Sequence, residues 1–162
     1  MADAPPASRV EIREADFDVS FELDALRAGD GSVGGLVAFV GTVRDASEGR
    51  DVATLELEHY PGMTEQAIET MVEAAVARFS LRGARVIHRI GRLAARDRIV
   101  LVAVAAAHRG EAFQAAEFLM DWLKTEAPFW KKEHDASGQG RWVDARTADD
   151  AAARRWGIVP VA

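Results

Sequence analysis

The chain has 162 residues, 49% of them apolar and 28% charged, with a net charge of −6 and no cysteine. That length and balance describe one soluble globular domain with enough chain to bury a core. The missing thiols exclude disulfides, zinc–thiolate sites, iron–sulfur ligation and cysteine nucleophiles, and the net acidity argues against a general nucleic-acid binder, so any anion site must be a local basic patch.

Taken in chain order, residues 1–8 hold Ala, Pro and Ser with nothing to bury, which predicts a disordered tail. The same N-terminus lacks the basic and apolar regions of a signal peptide, and no run approaches the roughly 18 apolar residues of a membrane helix, so a cytoplasmic protein is expected. "RVEIRE" (9–14) predicts a short strand. "DVSFELDALRA" (18–28), which holds Phe21, Leu23 and Leu26, predicts a helix. The turn cluster "GDGSVGG" (29–35) leads into a strand, "LVAFVGTVR" (36–44), and a loop, 45–51. "VATLELEHY" (52–60) alternates cleanly, as a half-buried strand does. From Thr64, the expected N-cap, Ile68, Met71, Val72, Ala75, Val76 and Phe79 recur at helical spacing up to Ser80.

"ARVIHRIG" (84–91) predicts another strand, and the apolar run "RIVLVAVAAAH" (98–108) one that is covered on both faces. A helix follows at 111–125 with Phe113, Ala116, Met120 and Leu123 on one face. A short strand at 141–145 and a helix at 148–156 complete a single domain over 9–156, with 157–162 as a tail. The mixed order of short elements predicts an α+β fold, a largely antiparallel sheet with packed helices.

Standard catalytic signatures are absent. There is no phosphate-binding G-x-x-x-x-G-K-[ST], no G-x-S-x-G, and the histidines His59, His88, His108 and His134 show no metal-ligand spacing, so no metal is expected. The basic residues are more informative. His108 and Arg109 fall where the most apolar strand gives way to a helix, a place where free backbone N–H groups favour anions; either residue taken alone reads more simply as a solvated arginine or a histidine capping a strand. Arg44 closes another apolar strand in the same way.

Lys124 and Lys131 lie seven residues apart, which in an unbroken helix is about 700° and about 10 Å along one face. Pro128 forbids that helix, because its ring conflicts with the carbonyl of Lys124 and it pushes Ala127 out of helical geometry. Two readings fit. The break aims both ammonium groups at one pocket walled by Phe129 and Trp130, or it is a helix end with dipole-friendly lysines and two core aromatics.

"LEHYPGMTE" (57–65), "IHRIG" (87–91), "AHR" (107–109) and "FLMDWLKTEAPFWKKE" (118–133), with "FVGTVR" upstream and "RWVDA" downstream, resemble the large, catalytic subunit of molybdopterin synthase. The blocks keep that family's order and spacing over residues 34–156. The resemblance implies an α/β hammerhead fold and a sulfurtransferase that converts cyclic pyranopterin monophosphate to molybdopterin. The two sulfurs arrive as a thiocarboxylate on the C-terminal Gly-Gly of a small ubiquitin-like carrier, so no tightly bound cofactor and no metal is implied, and the absent cysteine is consistent with that. It also implies a homodimer of this chain within a heterotetramer.

By the same resemblance, Lys124 and Lys131 are the catalytic pair at the thiocarboxylate end of the pocket. Arg44, His108 and Arg109 bind the substrate phosphate and pterin, Arg141 is a further candidate for that role, and Phe39 and Met120 form apolar walls. His88 is read as structural. The alternative from another class is a non-enzymatic dimeric module that holds a phosphorylated ligand or a partner's C-terminal tail in the same basic pocket. A nucleic-acid binder using "FWKK" is disfavoured by the overall acidity.

Overall fold

The computed structural model describes residues 9–143 and 147–157. The expected tail at 1–8, and all but the first residue of the one expected at 157–162, lie outside the described residues. The chain forms β1 (Val10–Arg13), α1 (Val19–Arg27), β2 (Gly35–Thr42), β3 (Ala46–Ser47), β4 (Arg50–Asp51), β5 (Thr54–His59) and α2 (Met63–Phe79). It continues with β6 (Gly83–Arg89), β7 (Gly91–Ala94), β8 (Arg98–Ala106), α3 (Arg109–Thr125), β9 (Phe129–His134), β10 (Gly140–Val143) and α4 (Thr147–Arg154). The fold is α+β.

Two four-stranded sheets carry it. The first has the order β1-β6-β8-β2 and the second β10-β9-β5-β7, while β3 and β4 make a small separate hairpin. Every strand pair is antiparallel except β1 with β6.

The apolar run in β8 has a simple cause. Val102 and Val104 face α2 and α3, packing with Val72, Ala112 and Leu119, whereas Leu101 and Ala103 face α1 and pack with Phe17, Leu23 and Leu26. A strand covered on both faces has no polar side to show. A third cluster, Val43, Val52, Leu55, Leu57 and Leu93, fills the space under the second sheet.

α1 is held on the first sheet by a buried ion pair. Arg85 on β6 donates through Nε to Glu22 (3.1 Å) and through Nη2 to Glu11 on β1 (2.7 Å). α1 starts at the Asp18 N-cap, whose carboxylate accepts from the Phe21 N–H. Phe21 is 68% exposed, whereas Leu23 and Leu26 pack against the sheet.

α3 is rotated from its expected register. Ala112, Ala115, Ala116, Phe118, Leu119 and Trp122 are buried, and Phe113 is 61% exposed. The buried stripe runs through the small alanines together with Phe118, Leu119 and Trp122, and Phe113 falls outside it.

α2 begins one residue before the expected cap. Gly62, at φ 84°, stands at the N-cap, and the Glu65 carboxylate accepts from its N–H. Thr64 is wholly buried instead: its Oγ1 accepts from the Tyr60 N–H (3.0 Å) and donates to the Pro128 carbonyl (3.2 Å). α2 ends as expected at Ser80, which takes the left-handed conformation.

Candidate active site at the junction of the two sheets

The helix carrying Lys124 stops at Thr125, with Glu126 as its C-cap. After Ala127 and Pro128 the chain turns into β9, so Lys131 lies on a strand rather than on a continued helix. Strand geometry then sorts the neighbours by parity. Phe129, Lys131 and Glu133 point into a cavity of about 400 Å³. Trp130 points the other way, 38% exposed, and meets Tyr60 edge-on with ring centroids 4.4 Å apart. Trp130 is therefore not the pocket wall expected from sequence; Phe129 is.

Lys124 and Lys131 both line this cavity, together with Arg44, Phe39 and Met120. Five of the residues singled out in the sequence thus meet at one place. A register shift between Gly41 and Thr42 bends the end of β2 just before Arg44. Gly41 is needed there, because a Cβ would lie 2.8 Å from Val100 Cγ1 and 3.3 Å from Phe39 Cε1. Lys124 sits in the last turn of α3, where the helix dipole favours a cation. Neither Arg44 nor Lys124 has an ion-pair partner among the described residues. The site is locally cationic on an acidic protein, with Glu133 as its carboxylate.

Three expected residues lie elsewhere. His108 and Arg109 are exposed at the opposite end of α3, about 22 Å along the helix from Lys124. They do not line this cavity. Arg141 sits at its rim but is committed to protein groups. It donates to Glu48 (3.2 Å), to Glu133 (3.0 Å) and to the Ser47 carbonyl (3.2 Å), clamping the β3–β4 hairpin to β9. The Ser47 hydroxyl is buried in the same wall without a hydrogen-bond partner among the described residues.

His88, read as structural from sequence, lines the cavity. Its Nδ1 lies 2.8 Å from the Arg89 carbonyl, and its ring stacks on Phe129 at 3.8 Å and 17°. Burial pushes its pKa down to about 3, and the nearby Lys131 and Lys124 charges push the same way. The ring is therefore neutral at physiological pH. Strand alternation in "ARVIHRI" gave no hint of this, since the pocket is built across two sheets that sequence periodicity does not relate.

Among the described residues, no group of three or more His, Asp or Glu is placed to hold a metal, and no helix is long and apolar enough to cross a membrane. The arrangement is that of a small-molecule site: an open cavity of mixed polar and apolar lining, with a few cations along its wall.

The comparisons with known proteins agree. The family described as "MoaE protein" matches residues 12–126. A molybdopterin synthase catalytic subunit from Ralstonia nicotianae is 58% identical over 150 residues, covering 93% of this chain and 85% of that protein. The solved structure of the molybdopterin biosynthesis MoaE protein from Burkholderia ambifaria is 52% identical with a TM-score of 0.79, covering 93% of this chain and 99% of that one. A protein–protein complex of subunits 1 and 2 of molybdopterin-converting factor from Helicobacter pylori shares the fold at 19% identity and TM-score 0.71, covering 86% of this chain and 92% of that one.

The fold and the site together define an enzyme of molybdopterin formation. The chain belongs to the MoaE family, the catalytic subunits of molybdopterin synthase.

Proposed function

We propose that this chain inserts two sulfurs into cyclic pyranopterin monophosphate, taking each from the thiocarboxylate at the C-terminal Gly-Gly of a small ubiquitin-like carrier whose tail enters the cavity. The observation that carries this reading is the convergence of Lys124 and Lys131 on one cavity, one from a helix end and one from a strand. A cavity of about 400 Å³ suits a tail end and a small heterocycle.

The carrier must exchange sulfur for oxygen at its acyl carbon, so negative charge builds on that carbonyl and on the departing sulfur. Two ammonium groups in a low-dielectric cavity stabilise such charge far better than water does. One lysine polarises the acyl oxygen while the other serves the substrate oxygens and moves the proton. Transient acylation of one lysine by the tail is a variant of the same scheme. Arg44 takes the substrate phosphate at the mouth, and Phe39 and Met120 wall the heterocycle.

His108 and Arg109 can serve a cavity only from a second copy of this chain, because about 22 Å separates them from Lys124 within one copy. A homodimer supplies that copy, with one carrier on each pocket to make a heterotetramer in the cytoplasm. Support comes from β2, which is the outer strand of its sheet and exposes Ala38 and Phe39. An unpaired edge of this kind accepts a second strand.

The test is reconstitution. The purified chain, mixed with a thiocarboxylated carrier and cyclic pyranopterin monophosphate, should yield the dithiolene product. A folded chain that binds the carrier but forms no product would return the pocket to the binding-module alternative.

A further inference from the structure

The cavity holds a polar group that the scheme above does not use. His88 stands on β6, near the middle of the first sheet, and is 7% exposed. The Arg89 carbonyl can only accept, so the Nδ1 facing it at 2.8 Å carries the ring proton. Nε2 is left as a lone pair. The stack on Phe129 fixes the ring plane, and Nε2 has no partner among the described residues. An acceptor held in place by two contacts, with no protein partner among the described residues and open to the cavity, is available to a ligand donor.

The type of ligand group follows from the lone pair. Phosphate, carboxylate and thiocarboxylate offer only acceptors and are taken by the cations. A neutral acceptor wants an N–H or O–H. Of the molecules proposed to enter this cavity, the pterin offers several N–H donors on a rigid ring. Resting on the sulfur-insertion reading, we propose that His88 is a substrate-binding residue whose Nε2 accepts an N–H of the bound pterin and so orients the ring between the two lysines. Nearby Lys124, Lys131 and His59 all disfavour a proton on His88, which keeps the acceptor in place across the working pH range.

Two amides separate the two faces of the imidazole. In His88→Gln the amide oxygen reaches the place of Nε2 and keeps the acceptor. In His88→Asn the amide replaces Nδ1, keeping the bond to Arg89 and losing the acceptor. The reconstituted assay is run on both, with KM for cyclic pyranopterin monophosphate, kcat and the thermal midpoint measured for each. The expected result is a KM raised about tenfold or more for His88→Asn at a kcat within about threefold, with His88→Gln close to wild type.

Equal variants, the reverse order, or a fall in kcat at unchanged KM would overturn the proposal; the last would assign the ring to positioning a lysine. Wild-type product with no such split sinks this inference alone, whereas no wild-type product sinks the sulfur-insertion reading with it. If neither variant folds, the 15N resonance of His88 Nε2 in the wild-type protein decides. A shift on adding the pterin, toward that of a hydrogen-bonded acceptor, supports the proposal, and an unmoved resonance overturns it.

Discussion

His88 carries the clearest pH dependence of any single residue. Its pKa is about 3 in the fold and 6.5 in an unfolded chain. Between those values the unfolded state binds a proton that the folded state refuses, so acid favours unfolding. The stability His88 contributes is fully present above pH 6.5 and is lost progressively as pH falls toward about 3. Carboxylates in ion pairs, such as Asp16 held below its usual range by Arg98, add their own loss lower in the same range. The thermal midpoint of His88→Gln should therefore decline less steeply than wild type between pH 6.5 and 4.5. Parallel curves would show that the ring is not buried neutral.

At the scale of elements, the site depends on the joint between α3 and β9. Thr64 ties that joint to the start of α2 through the Pro128 carbonyl and the Tyr60 N–H. Thr64→Val keeps the shape and strands both groups. It should cost about 1–3 kcal/mol of stability, read from denaturant midpoints, and should lower turnover by loosening the strand that carries Lys131. An unchanged midpoint would mean that water replaces the hydroxyl without loss.

Much of this architecture was legible in the sequence. Alternation found β5, the unbroken apolar run found the doubly covered β8, and Pro128 marked where α3 must stop. What failed was orientation. On α3 the face expected to be buried carried Phe113, yet that side chain is exposed and the buried stripe runs through Ala112, Ala115, Phe118, Leu119 and Trp122. β9 escaped notice because its inward set, Phe129, Lys131 and Glu133, is mostly polar, serving a cavity rather than a core. His88 was missed for the converse reason: an apolar-flanked histidine in a strand reads as core until a second sheet opens a pocket beside it.

On the scale of the whole molecule, the distance between the two ends of α3 means that the proposed site needs a second copy of the chain to receive Arg109. β2 starts beside Arg109, where a Cβ built at Gly35 would lie 3.8 Å from the Arg109 Cα, and ends at the cavity with Gly41 and Thr42. A twofold antiparallel pairing of β2 edges would bring the Arg109 end of one copy toward the cavity of the other. Mixing Lys124→Ala with Arg109→Ala subunits tests this. Each variant alone should be impaired, and exchange into mixed dimers should restore about a quarter of wild-type activity, since half the dimers then hold one intact site. No recovery after verified exchange would place Arg109 outside the site.

The central claim is that the two lysines meeting at this cavity perform the sulfur transfer rather than only binding its participants. The most direct measurement compares Lys124→Ala, Lys124→Arg and Lys131→Ala in single-turnover product formation, with carrier binding and thermal midpoint recorded in parallel. Both Lys124 variants should fold, since the Lys124 ammonium has no ion pair among the described residues to lose and a cation in the last turn of a helix contributes only about 0.3–1 kcal/mol, and the thermal midpoint checks the fold of Lys131→Ala. All should bind the carrier, and product formation should fall by about a hundredfold or more, with Arg no substitute for Lys. Near-normal turnover in Lys124→Ala or Lys124→Arg would contradict the account and leave the cavity a binding site whose chemistry is done elsewhere.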